Sequence, residues 1–571
     1  MASRRGGRGI VPADGLSHVA GSSDRPLLDA TIPAFLAEVV RRHGGRTAAV
    51  FRAAGERWTY AQLARRVDRF AAGLLALGLY KGDRIGIWAP NRPEWLIAQF
   101  ATARIGLVLV NINPAYRSSE LEYALDRVGA KALIIARQLK SSAYLEMLRE
   151  VAPELDGCPP GHLRAERLPA LRTVIRLGPD PAPGCLGFDE VMDRGGGGQR
   201  WRLDAISAGL RPNDPINIQF TSGTTGAPKG ATLTHRNIVN NAISCARTMR
   251  LQPGEALCIP VPLYHCFGMV LGNLAAASYG VTMVFPGEAF DAGETLAALN
   301  AERCNAVHGV PTMFAAMLDH PEFPRFDLSA MRTGIMAGAP CPVTLMRRVV
   351  RDMGCREITI AYGMTETSPI SFQSSVGEDL ERRVSTVGRI QPHVEVKVVD
   401  EAGRTTPVGV PGELLTRGYS VMQGYWGDRE ATREAIVDGW MRTGDLATID
   451  AQGYCRIVGR AKDMVIRGGE NVYPAEIEDF LLTHPDVAAA EVFGVPDERY
   501  GEEVCAFVIP RPGRGLTEEG LREFCRGRIA HYKVPRHLRF VAEMPVTATG
   551  KPQKFRMRER MIEELGLRPS P

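Results

Sequence analysis

The sequence predicts an α/β protein: a large N-terminal domain of two helix-covered sheets plus a β-rich subdomain, followed by a small α+β C-terminal domain. Three observations predict it. Strand-like apolar runs alternate with helical patterns from about residue 30 to 150 and again after 221, the spacing of parallel sheets covered by helices. Beyond about 380, shorter strands with turn signals replace that alternation. At 571 residues the chain is too long for one core.

Taken in order, residues 1–28 are expected to be a disordered tail. Arg4, Arg5 and Arg8 stand beside Gly6, Gly7 and Gly9 without the amphipathic pattern of a transit peptide. Thr59 opens a helix whose apolar residues Leu63, Val67, Phe70 and Leu74 share a face. A strand at 84–88, a helix at 94–102, a strand at 107–110, a helix at 118–127 and a strand at 132–135 follow. Residues 150–212 hold Pro159-Pro160, a Pro-rich run at 179–183 and four glycines at 195–198, and read as a connector or surface excursion. The alternation resumes with a helix from His235 and strands at 256–260, near Val281, and at 305–308, 333–337 and 358–360, with a helix from Pro311. The longest apolar stretch, 269–285, is broken by Asn273 and Ser278-Tyr-Gly280, so it is expected as helix, turn and strand, and no transmembrane segment is expected. Strands at 394–399, 412–416, 446–450 and 454–458 form the β-rich part. The polar joint 459–463 divides an N-terminal domain, 29–460, from a C-terminal domain, 461–571, in which a helix at 476–484 precedes a strand at 488–492.

A net charge of +5 on this length gives no reason to expect nucleic acid. Eleven cysteines without a Cys-x-x-Cys pair encode no local zinc ribbon or dithiol, and their odd number fits a reducing compartment. A cytoplasmic location is expected, ahead of the mitochondrial matrix. Cys304 and His308, four apart, would be two metal ligands on a helix face or a buried, unreactive pair, and the second reading is preferred. Of the basic residues 60 are Arg and only 9 are Lys, yet Lys229, Lys462 and Lys551 all fall inside motifs. A compact ammonium and a planar guanidinium are not interchangeable there.

The first motif is Thr221, Ser222, Gly223, Thr224, Thr225, Gly226, Ala227, Pro228, Lys229 and Gly230, after the apolar run 216–220. A strand that stops in glycines and small hydroxyls leaves backbone N–H groups pointing into one concavity, which suits phosphate oxygens. Lys229 adds a mobile charge. The spacing is not that of the Walker loop, and the alternative of a plain loop between a strand and the helix near Thr234 does not account for the composition. The second motif runs 361–367. It offers Tyr362 as a flat ring for a base, Gly363 and Thr365 at the strand end, and Glu366 as a hard oxygen ligand for magnesium, with Thr221 as a second metal-site residue. The alternative, Thr365 and Glu366 merely capping a helix, is set aside because the phosphate-type loop accompanies them. Further candidates are Asp445 and Arg460 for the two hydroxyls of a ribose, His265 among apolar residues, the turn Gly338-Ala339-Pro340, and Lys551 in the run 547–551. Gly-x-Ser-x-Gly, His-Glu-x-x-His and Gly-x-Gly-x-x-Gly are all absent from the sequence.

The runs at 221–230, 361–367, 439–478 and 547–551, in this order, resemble the adenylate-forming superfamily over roughly residues 30–565. Tyr264-His-Cys-Phe and Lys551-Pro-Gln-Lys-Phe look most like its medium-chain fatty acyl-CoA synthetase branch. The resemblance implies a fatty acid, ATP, Mg2+ and coenzyme A as substrates and cofactors, with an acyl adenylate between two half-reactions. It makes Lys551 the catalytic lysine, Glu366 the metal residue, Asp445 and Arg460 the ribose grip, and His265 a gate to the acyl pocket. It lays Gly338-Ala339-Pro340 along the adenine, makes Lys462 the hinge of a rotating C-terminal domain, and brings Gly468, Gly469 and Glu470 to the pantetheine channel. Pro552 departs from the family, whose members usually carry a β-branched residue there. A homodimer is compatible with the resemblance, and alternatives for the reaction are a carrier-protein acceptor or aryl acids.

Overall fold

The computed structural model describes residues 9–139, 142–195, 200–221, 228–339, 341–468, 470–513, 515–526, 528–547 and 552–567. The first sheet has eight strands in the order Gly424–Tyr425, Lys229–Thr234, Pro215–Thr221, Val108–Asn111, Arg84–Trp88, Ala132–Ile135, Thr173–Arg176 and Cys185–Gly187. Neighbours from Pro215–Thr221 onward run parallel, and the two strands before it are antiparallel. The second sheet has nine strands, with five parallel pairs joining Glu357–Gly363, Thr333–Ala337, Ala306–Gly309, Ala256–Cys258, Thr282–Phe285 and Thr47–Phe51. Helices cover both sheets. That is why Ile85, Ile87, Leu133 and Ile134 are all inaccessible to water: parallel strands are buried on both faces.

The helix Tyr60–Ala76 starts where the sequence places it. The Thr59 hydroxyl accepts from Gln62 N at 3.2 Å and Gln62 Oε1 accepts from Thr59 N at 2.7 Å, a reciprocal cap that sets the first turn. Leu63, Val67, Phe70 and Leu74 are then buried on one face, as their spacing requires.

Three expectations need correction. Residues 150–212 are not a mere connector: they supply the strands Thr173–Arg176 and Cys185–Gly187 to the first sheet and the helices Phe188–Arg194 and Arg200–Ala208 to its cover. Their short apolar runs are hidden from a periodicity argument by the prolines around them. Within the stretch assigned to a disordered tail, His18–Ala20 is a strand that pairs antiparallel with Val394–Val399 and buries Val19 completely. The apolar stretch near 269 is helix, turn and strand as expected, but its first part, Phe267–Leu274, is a π-helix, whose i→i+5 bonding leaves no mark on apolar spacing.

The β-rich part is an antiparallel sheet in the order His18–Ala20, Val394–Val399, Gly412–Gly418, Trp440–Ile449 and Ile436–Val437, with Cys455–Arg460 pairing to Trp440–Ile449. From Val465 on, a five-stranded sheet with helices Pro474–Leu481, Glu518–Cys525 and Lys554–Leu565 encloses apolar clusters built only from its own residues. Among the described residues, no helix is long and apolar enough to cross a membrane.

Candidate active site

The phosphate-type run closes a hairpin instead of leading directly into a helix. Thr221 ends one strand, Lys229 opens the next, and the two face each other in register. Residues 229–234 extend because Ala231 and Leu233 fill the core beside Ile218, and only then does Thr234 cap the helix His235–Thr248, its hydroxyl accepting from Asn237 N at 3.2 Å. Ser222, Gly223, Thr224, Thr225, Gly226 and Ala227 lie outside the described residues, whereas Pro228 links them to the second strand.

Glu366 stands beside the hairpin, 5 % exposed, in the short 3-10 turn Thr365–Thr367 after the strand Glu357–Gly363. The Thr221 hydroxyl donates to its Oε1 at 3.1 Å, and the Tyr425 hydroxyl donates to the same oxygen at 3.0 Å. Among the described residues Oε2 accepts nothing. A buried carboxylate with one oxygen committed and one open, next to a hydroxyl, is a hard oxygen site that fits magnesium, which keeps most of its waters and takes few protein ligands. Gly363 is required for close approach: a Cβ there would lie 1.7 Å from Pro369 O. The turn that carries Glu366 is a 3-10 turn, not the start of an α-helix.

A second cluster forms on the β-rich sheet. Asp445 and Arg460 are register partners on Trp440–Ile449 and Cys455–Arg460, with Nε 3.2 Å from Oδ1. The hydroxyl of Tyr362 donates to Asp445 Oδ2 at 2.6 Å, and burial beside this carboxylate pushes the phenol well above its ordinary range. Tyr362 is therefore not only a flat ring: its position is fixed by the carboxylate that the resemblance assigns to ribose. Asp445 sits inside the long strand Trp440–Ile449. Pairing with Gly412–Gly418 is interrupted there, and Gly444, at φ +70°, carries the kink that turns Asp445 inward.

His265 is partly buried, its ring 4.5 Å from that of Tyr264. A chain of buried amides holds its segment. Gln219 Oε1 accepts from Cys266 N at 3.0 Å, Gln219 Nε2 donates to Asn217 Oδ1 at 2.9 Å, and Asn217 Nδ2 donates to Asn111 Oδ1 at 2.9 Å. Asn111 Nδ2 in turn donates to Tyr264 O at 2.8 Å. Gly338 is exposed, has φ +90° and faces Val310, and Ala339 is half-buried, while Pro340 lies outside the described residues. Cys304 and His308 are both fully buried, and His308 is on a strand and donates from Nε2 to Leu271 O at 2.9 Å, so the unreactive reading holds.

On the C-terminal side Lys462 is in the 3-10 turn Ala461–Asp463, its pKa lowered by partial burial, with the charges of Asp463, Arg460 and Asp445 acting on it. Gly468, at φ +59°, donates its N–H to Tyr500 O at 2.8 Å, Gly469 lies outside the described residues, and Glu470 is exposed at the start of Glu470–Val472. Lys551 also lies outside them. Its neighbour Pro552 is bridged to Val546, and Gln553 N donates to Pro545 O at 2.8 Å, so the proline's extended backbone fits the base of that loop. Lys554 begins the next helix with Nζ 2.5 Å from Glu478 and 3.6 Å from Glu491, whose pKa burial raises to about 8.

Sequence reasoning missed Tyr425, Gln219, Asn217 and Asn111. The amides had a signal, since two polar residues alternate through the central strand Pro215–Thr221, but alternation ordinarily marks a solvent face. Tyr425 is 59 residues from Glu366 and has no local signal.

Fold and site together define an α/β protein in which a hairpin ending in Thr221 and Lys229 meets the buried Glu366 carboxylate, with a carboxylate–phenol–guanidinium cluster at Asp445, Tyr362 and Arg460. The sequence pattern of the AMP-binding enzyme family matches residues 36–426, and that of the AMP-binding enzyme C-terminal domain matches 476–551. The chain belongs to the AMP-binding enzyme family. It is 47% identical to the medium-chain acyl-CoA ligase ACSF2, mitochondrial, of Danio rerio over 98% of this chain and 92% of the relative, and 44% identical to the Homo sapiens protein of that name over the same shares. Among solved structures it resembles the anthranilate CoA ligase AuaEII in complex with anthranoyl-AMP, with a TM-score of 0.84, 27% identity and 95% and 99% of the two chains covered. ATP-bound MatB from Rhodopseudomonas palustris matches with a TM-score of 0.78, 29% identity and 94% and 100% covered.

Proposed function

We propose that the protein is an ATP-dependent acyl-CoA ligase that joins a medium-chain fatty acid to coenzyme A, releasing AMP and diphosphate. The observation that carries this reading is the meeting of the phosphate hairpin with Glu366, through Thr221, beside the Tyr362, Asp445 and Arg460 cluster. The names of the full-length relatives and the adenylate- and ATP-bound neighbours support it.

In the first half-reaction a carboxylate oxygen of the fatty acid attacks the α-phosphorus of ATP and the bond to the bridging oxygen breaks, expelling diphosphate. The hairpin from Thr221 to Lys229 holds the phosphates, and Asp445 and Arg460 orient the ribose. Magnesium bound at Glu366 would supply positive charge against the phosphates. Lys551 offsets charge that grows on the α-phosphate. In the second half-reaction the thiol sulfur of coenzyme A attacks the acyl carbon, the bond to AMP breaks and the thiol proton is lost. Lys551 must then leave to make room, so we assign 29–460 and 461–571 as domains that reorient about Lys462, bringing Gly468 to Glu470 towards the thiol. The separate apolar clusters beyond Val465 support that division. For the eleven thiols we retain a reducing compartment, cytoplasm or mitochondrial matrix.

The test separates the half-reactions. Lys551→Ala is expected to abolish fatty-acid-dependent pyrophosphate exchange while leaving thiolation of supplied acyl adenylate nearly intact, and Lys462→Pro is expected to do the reverse. Pyrophosphate exchange with no dependence on any C4 to C18 acid would overturn the assignment.

A further inference from the structure

We propose that Tyr425 is a positioning residue of the metal–phosphate site, using its hydroxyl to aim Glu366 and its ring to hold Lys229. The inference rests on the assignment of Glu366 to magnesium. Tyr425 lies on Gly424–Tyr425, the edge strand paired with the outer arm of the phosphate hairpin, opposite Ala231. Two backbone bonds fix the strand from either side: Trp426 N donates to Gly230 O at 2.8 Å, and Met422 N donates to Glu366 O at 2.9 Å. One short segment is therefore anchored to the hairpin and to the Glu366 turn at once.

The side chain repeats that double attachment. Its hydroxyl meets Glu366 Oε1 at 3.0 Å, alongside the Thr221 hydroxyl at 3.1 Å. Two donors on one oxygen restrain the carboxylate and leave Oε2 to an incoming cation. The Lys229 ammonium lies 5.4 Å from the centre of the same ring, within cation–π range. Bound phosphates would be gripped on one side by the Lys229 ammonium and on the other through the cation of Glu366, and Tyr425 sets the spacing between the two. Thr221 duplicates half of the hydroxyl's task but none of the ring's. A phenol, and not an aliphatic or a plain phenyl, is the residue this position asks for.

The two parts are separable by substitution. Tyr425→Phe keeps the ring and removes the donor. It is expected to weaken Mn2+ binding to the enzyme with α,β-methylene-ATP about tenfold, read by electron paramagnetic resonance, and to raise the Mg2+ needed for half-maximal pyrophosphate exchange in step, the usual scale for groups that orient a metal ligand. The KM for fatty acid should stay unchanged. Tyr425→Leu should show the same metal defect and in addition raise the KM for pyrophosphate, because Lys229 loses its ring. Wild-type Mn2+ affinity and Mg2+ requirement in Tyr425→Phe would overturn the proposal, as would equal loss of fatty-acid and metal affinity. Glu366→Gln is the companion variant: if it too leaves Mn2+ binding unchanged, the metal assignment itself fails, whereas a defect there without one in Tyr425→Phe removes only the role of Tyr425.

Discussion

Asp445 shows how much a single carboxylate organises. It accepts the Tyr362 hydroxyl through one oxygen and faces the Arg460 guanidinium with the other, so an aromatic from the second sheet and a cation from the β-rich sheet converge on it. Asn in its place keeps the shape and loses the charge. Hydrogen bonds to ionised groups are worth about 1.5–3 kcal/mol, so Asp445→Asn is expected to raise the KM for ATP by about tenfold or more. Initial rates at varied ATP check this, and an unchanged KM in a folded variant would remove the ribose role. The residue identities at this cluster were legible in the sequence, because Asp445, Arg460 and Tyr362 each stand in a distinctive run. Their contact was not legible, since 83 residues separate Tyr362 from Asp445 and local pattern carries no information about which sheets face each other.

At the scale of elements, the strand Pro215–Thr221 touches two clusters at once, that of Glu366 and that of His265. Its end carries Thr221, and its interior carries Gln219, which reaches across to Cys266 beside His265, and Asn217, which accepts from Gln219. Gln219→Leu would leave the buried Cys266 N–H and Asn217 Oδ1 without their partner. An unpaired buried polar group costs about 1–3 kcal/mol, so the variant is expected to unfold at lower urea and to change the KM for fatty acid more than that for ATP. Equal effects on both substrates would show that the amide chain does not act through the segment of His265. Strands and helices with clear apolar periods, such as Tyr60–Ala76 and Arg84–Trp88, follow from sequence because burial decides them locally. The arm Lys229–Thr234, the π-helix Phe267–Leu274 and the two strands within 150–212 do not, because pairing partners far along the chain decide them.

The whole molecule carries a prediction about acid. His235 accepts from Ile32 N at 3.1 Å through Nδ1, and His308 donates to Leu271 O, and burial pushes each imidazole down from 6.5 to about 4. A base whose folded pKa is depressed is neutral in the fold and protonated on unfolding. Its stabilising contribution is fully present above about pH 6.5 and is lost as pH falls towards 4, at up to about 1.4 kcal/mol per pH unit for each imidazole. The Tm is therefore expected to fall across this window, and His308→Gln should flatten the slope. An unaltered slope in that variant would show that His308 takes no part in the acid response.

The strand His18–Ala20 gives the chain's early residues an unexpected mechanical standing. Its three residue pairs with Val394–Val399, together with the Ser17 N–H bond to Thr406 O, fasten them to the sheet on which Asp445 sits. A bead, surface or fused partner attached ahead of residue 9 therefore pulls first on the sheet that carries Asp445. Tension applied there would peel this seam before it reached either parallel sheet, so immobilisation by this end loads the sheet of Asp445 directly.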